Sequence, residues 1–204
     1  MRNYRPLEMM RLIYIFLISS LTFSCFGQPG DSLNFSYWTP KSWFSGGKKL
    51  LHDNINKYKF NHEQVEQLVN DVKTSKVLGI YYKYDPNVHY GLIPTIKVYI
   101  RQNQSENFED FLISMKRGIE DAKSFTTNFK YIDSPSTILI GQRKAFYASS
   151  TYSLKVQTGE MATVRTKFVG IPFGSKFLYI TLLDNEKEDC TDIYKEVIEK
   201  ISIE

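Results

Sequence analysis

From Tyr131 to Leu183 the chain alternates apolar and polar residues in successive runs, and short glycine-containing turns separate those runs. Ile138 and Ile140 lie in one run, and Phe146, Ala148, Tyr152, Leu154 and Val156 lie in the next. Thr158-Gly159 leads into Met161–Val169, and Gly170-Ile171-Pro172-Phe173-Gly174 leads into Lys176–Leu183. A period of two is that of a half-buried strand, and consecutive strands joined by tight turns run antiparallel. This half of the chain is thereby restricted to an antiparallel sheet, and the remainder must supply what covers it.

The cover is legible as helices. Phe108, Phe111, Leu112, Met115, Ile119 and Ala122 form one stripe at helical spacing, predicting a long helix over 106–124. Ser105 is placed as its N-cap, with Glu106, Glu109 and Asp110 at the positive end of its dipole. Gly118 falls beside the stripe, where a small residue would permit close approach to the sheet. A second helix over 187–200 carries Ile193, Tyr194, Val197, Ile198 and Ile201 on one face, with Cys190 at its start. A third, over 62–73, follows Asn61 and presents Val65, Leu68, Val69 and Val72. Two further strands lie between the helices. Val77–Tyr84 closes at the turn Asp85-Pro86-Asn87, and Ile96, Val98 and Ile100 alternate with Thr95, Lys97, Tyr99 and Arg101. Leu33, Phe35 and Tyr37 predict an opening strand, which Thr39-Pro40 stops. Lys48–Phe60 is irregular and reads as either strand or loop.

Residues 1–27 read as an export signal. Arg2, Arg5 and Arg11 form a basic start, and Leu12–Phe23 is an apolar run too short to span a bilayer of about 30 Å as a helix. Translation starts at Met1, Met9 or Met10. The signal ends in one of two ways. Leu21-Thr22-Phe23-Ser24-Cys25 resembles a bacterial lipoprotein signal with Cys25 as the lipidated residue, whereas Cys25 and Gly27 also suit ordinary cleavage before Gln28. Gln28–Ser32 is a tether, and residues 33–204 form one domain with no apolar run of transmembrane length.

Charge excludes one class of partner. The chain carries a net +4, but residues 1–27 hold Arg2, Arg5 and Arg11 against Glu8. Without them 23 basic groups face 21 acidic ones, a net charge of +2 and no footprint for nucleic acid. The two cysteines, Cys25 and Cys190, do not make a disulfide scaffold. Fourteen Tyr and fourteen Phe predict an aromatic-rich core and rim.

The order of elements, together with Phe35-Ser36-Tyr37-Trp38-Thr39-Pro40 followed by Trp43, the stripe beginning at Phe108, and the ending Tyr194–Ile203, resembles the PsbP-like fold family. That resemblance covers about residues 33–203 and implies an α+β chain, an α/β/α sandwich around a mainly antiparallel sheet. It also implies a non-enzymatic accessory or binding role, and it brings no catalytic motif, cofactor or metal ligand.

Motif by motif, chemistry is sparse. His62-Glu63-Gln64-Val65-Glu66 lacks the second imidazole of a zinc-protease helix and reads as an exposed first turn. His52 and His89 are isolated in sequence. Cys190 lies among Glu186, Glu188, Asp189 and Asp192, which disfavour a thiolate, so it reads as a small buried residue. The acidic run Asp184–Asp192 lacks the glycine of a calcium loop and reads as a helix start. The binding candidates are Tyr82, Tyr84 and Tyr90, tyrosines at a strand end able to stack on a sugar or anchor a protein. The function expected is therefore an exported binding or accessory protein of the bacterial envelope, its partner an unidentified protein or small ligand. It would meet a membrane only through a lipid on Cys25. The competing expectation is a small hydrolase assembled from dispersed residues, for which His89 meeting an Asp or Glu in a pocket would be the mark.

Overall fold

The structure is a computed structural model, and it describes residues 34–47, 75–89, 91–124, 126–155 and 159–203. The expected helix over 62–73, Lys48–Phe60, Cys25, His52, His62 and Tyr90 lie outside those residues. The described elements, in order, are β1 (Phe35–Ser36), β2 (Phe44–Gly46), β3 (Lys76–Tyr82), β4 (Thr95–Gln102) and α1 (Phe108–Ser124). They continue with β5 (Thr127–Ile140), β6 (Arg143–Lys155), β7 (Met161–Phe173), β8 (Lys176–Asn185), α2 (Thr191–Glu199) and β9 (Ser202–Ile203). Seven strands form one antiparallel sheet in the order β2-β3-β4-β8-β7-β6-β5. No helix among the described residues is long and apolar enough to cross a membrane.

The fold is α+β with helices on both faces of that sheet. Along β8, Leu178, Ile180 and Leu182 point one way, where they join Ile96, Val98, Val169 and Ile171 beneath Tyr194, Val197 and Ile201 of α2 and its C-terminal end. Phe177 and Tyr179 point the other way and meet Phe146 and Ala148 beneath Phe111 and Ile119 of α1. The alternation that predicts the strands thus also assigns each helix its face. Two hairpin turns, at Gly141 (φ 60°) and Gly174 (φ 54°), take up left-handed backbone, which glycine adopts without a Cβ penalty.

The first and last of the described strands meet. Phe35 pairs with Ile203 and Ser36 with Ser202, so the opening strand is shorter than expected and its partner is the far end of the chain. Trp43, 8 % exposed, sits in the core on the α2 side with its ring edge-on to Tyr194 at 6.4 Å. Trp38 is half-buried under Lys200, whose Nζ lies 4.7 Å from the ring centroid.

Three details differ from the sequence expectation. Asn107, not Ser105, caps α1. Its Oδ1 accepts the Asp110 N–H at 2.9 Å and its Nδ2 donates to the Asp110 carboxylate at 2.7 Å, while Ser105 N–H is turned back onto Asn103 Oδ1 at 3.1 Å. Gly118 faces open space. The close approach of helix to sheet falls at Gly170 of β7, where a Cβ would stand 3.1 Å from both Met115 Cε and Phe111 Cζ. Ala122 is exposed together with the rest of the last turn, which leaves Ile119 as the end of the buried stripe.

Candidate functional site

Beyond Tyr82 the chain leaves the sheet and forms a compact corner. Lys83 N–H donates to Pro94 O at 3.0 Å, so the corner is tied to the start of β4. Asp85 then closes the turn in the way its side chain favours: its Oδ1 accepts the Asn87 N–H at 2.9 Å, and its carbonyl accepts the His89 N–H at 3.0 Å. This folds His89 back onto Tyr84, the two rings stacked at 4.7 Å and 18°. Val88, at the tip, is 69 % exposed.

The corner is pinned to the start of α2 by charge. Lys83 Nζ donates to Glu188 Oε2 at 2.6 Å, and the Tyr84 hydroxyl donates to the same oxygen at 2.9 Å. These two bonds hold the Glu188 carboxyl below the usual range, and the carboxylate in turn raises the Lys83 ammonium. Asn185 shapes the turn that presents Glu188, accepting the Lys187 and Glu188 N–H groups on its Oδ1 at 2.8 and 3.0 Å.

Beside it, Arg165 of β7 reaches across to the acidic run. Its Nε and Nη2 donate to the two oxygens of Asp184 at 2.8 and 3.0 Å, and its Nη1 donates to Asp189 at 3.2 Å. Asp184, buried at 2 % exposure, also accepts the Cys190 N–H at 2.8 Å, and Asp189 accepts the Thr191 N–H at 2.8 Å. Arg165, followed by the Thr191 N–H, depresses Asp189. The acidic run therefore serves as a helix start in which the carboxylates of Asp184, Glu188 and Asp189 are met by named donors, and no cluster suited to a metal ion occurs among the described residues. Cys190 is buried, and burial pushes its thiol up to about 11, so it stays protonated near neutrality.

The structure separates the tyrosine candidates. Tyr82, at 0 % exposure, packs with Ile80 and Ile93 and offers no ring to a ligand. Tyr84 is half-buried and stands at the corner against His89. The depression of Glu188 comes first from the Lys83 and Tyr84 bonds, and His89 adds to it electrostatically. Glu188 and Arg165 were not singled out as site residues by sequence. The missing signal is register. A hairpin turning at Gly174-Ser175 pairs Phe173 with Lys176, and the same count carried to the far end sets Arg165 opposite Asp184.

No protein-family model matches the chain, and no curated protein matches its sequence. Its fold resembles the crystal structure of LpqN, involved in cell envelope biogenesis of Mycobacterium tuberculosis, with 17 % identity, 87 % of each chain covered and a TM-score of 0.49. It is also similar to a crystal structure from Bacteroides thetaiotaomicron, with 12 % identity, 83 % of this chain and 45 % of that one covered, and a TM-score of 0.44. The chain thus spans just under half the length of that second protein.

Proposed function

We propose that this chain is an exported, PsbP-like binding or accessory protein of the bacterial envelope, without enzymatic activity, and that it engages its partner at the corner formed by residues 83–89. One observation carries the reading. The charged groups of this corner are spent on holding it in shape, and what it turns outward is Val88 beside the stacked Tyr84 and His89. A pinned backbone bearing an exposed aliphatic side chain next to an aromatic stack suits recognition, because little ordering entropy is lost on contact. Export rests on the basic start and apolar run of residues 1–27. The test is affinity capture from envelope extract of cells expressing the full chain with a C-terminal tag. A discrete protein or retained metabolite at stoichiometric yield is expected, and capture of nothing beyond the untagged control would contradict the proposal.

A further inference from the structure

The two edges of the sheet are finished differently. β2, at one edge, is a three-residue strand, a length that leaves little template for another chain. β5, at the other, has fourteen residues and, among the described strands, pairs only with β6. Its first half is protected. Register shifts interrupt the pairing between Thr127 and Lys130, Tyr131 and Asp133, and Asp133 and Ser136, and Pro135 has no N–H to offer. From Ser136 to Ile140 the pairing with β6 is regular, with Ser136 opposite Tyr147 and Ile140 opposite Arg143. Those five residues carry no register shift, and one of them, Leu139, is at 70 % the most exposed large hydrophobic among the described residues.

We propose that Ser136–Ile140 is a self-association edge, on which a second copy of this chain adds antiparallel about a two-fold axis at Ile138. The occupant follows from charge and symmetry. In a two-fold strand pair residues equidistant from the axis face each other, so a charge that lacks its complement at the mirrored position meets like or unmatched charge. Ser134 to Gln142 is a run of nine residues with no Asp, Glu, Lys or Arg. With Ile138 on the axis, Ser136 lies across from Ile140 of the second copy, and Thr137 lies across from Leu139. Side chains of equal parity then share a face, and exposed Leu139 is covered by a neighbour of its own kind of strand. The contact is short and its dimer correspondingly weak, formed at high local concentration such as that of chains gathered on one surface. This edge lies at the opposite side of the sheet from residues 83–89, so its failure leaves the partner-binding corner untouched, and the reverse.

Sedimentation equilibrium of protein purified from cells expressing the full chain, run from micromolar to millimolar concentration, tests the proposal together with two double variants. Wild type is expected to approach twice the single-chain mass. Thr137→Lys with Leu139→Lys sets lysine against lysine across the axis and is expected to stay at the single-chain mass. Thr137→Lys with Leu139→Glu sets opposite charges across it and is expected to dimerise again. Hydrogen exchange of wild type, which does not depend on the variants folding, is expected to show protection over 134–142 that rises with concentration. A wild type that remains single at all concentrations, variants that dimerise alike, or exchange over 134–142 independent of concentration would overturn the proposal.

Discussion

Arg165 and Asp184 face each other across β7 and β8 as a two-pronged ion pair, with Nε to Oδ1 at 2.8 Å and Nη2 to Oδ2 at 3.0 Å. The carboxylate is buried and also receives the N–H of Cys190, so the pair fixes where α2 begins. Removing one partner of a buried pair strands the other charge away from water. Arg165→Leu should therefore lower unfolding free energy by about 3 kcal/mol, a figure typical of broken buried pairs. Replacing both residues by apolar ones should recover much of that loss. Urea unfolding of the single and double variants checks this, and equal midpoints for wild type and Arg165→Leu would show the pair to be idle.

Acid should loosen the same region. Glu188 and Asp189 both have folded values below the ordinary carboxylate range of about 4. In that window the unfolded chain binds more protons than the folded one, so stability falls as pH falls. Their contribution is whole above the unfolded value and is lost as pH drops through the depressed folded values. The double variant Glu188→Gln with Asp189→Asn should show a flatter acid limb than wild type in urea midpoints measured between about pH 6 and about pH 2. Parallel limbs would mean that these two carboxylates do not couple to folding.

Two glycines should respond in opposite directions to an added side chain. Gly118 lies within α1 facing open space, and alanine there should stabilise by about 0.5–1 kcal/mol through helix propensity. Gly170 sits under Phe111 and Met115, and valine there should cost about 1–3 kcal/mol by forcing α1 from the sheet. Thermal unfolding of both variants gives the comparison. A stabilised Gly170→Val would show that α1 has room the packing denies.

Trp43 is scaffold in this fold, packed against Tyr194 in the core on the α2 side. Trp43→Ala should cost about 3–5 kcal/mol, the usual loss for an emptied large aromatic site. An unchanged midpoint of thermal unfolding would move the ring from the core to the surface.

What was readable in the sequence was whatever depends on local period. The alternation from Tyr131 to Leu183 and the stripe beginning at Phe108 predict the strands and α1, because burial on one side imposes a period of two or of about 3.6. Boundaries and caps were less readable. Ser105 and Asn107 are both capping residues, and only the turn made by Asn103 decides between them. The start of β5 at Thr127 was hidden because its register shifts break the alternation. Long-range pairings left no local mark: β4 lies beside β8, and Phe35 beside Ile203, through contacts between distant segments. The same holds at the corner. Tyr84 was visible as a tyrosine at a strand end, but Lys83 and Glu188 meet across a separation of 105 residues, and the burial of Tyr82 depends on packing that period alone does not resolve.

The most direct measurement of the central proposal is site-specific photo-cross-linking in living cells, with a photoreactive amino acid at Val88 and, as control, at exposed Glu160. The expected result is one discrete adduct from position 88, absent from position 160 and weakened by Glu188→Gln, which releases Lys83 and Tyr84 from the carboxylate. No adduct from position 88, or the same adducts from both positions, would contradict the assignment of residues 83–89 as the binding corner.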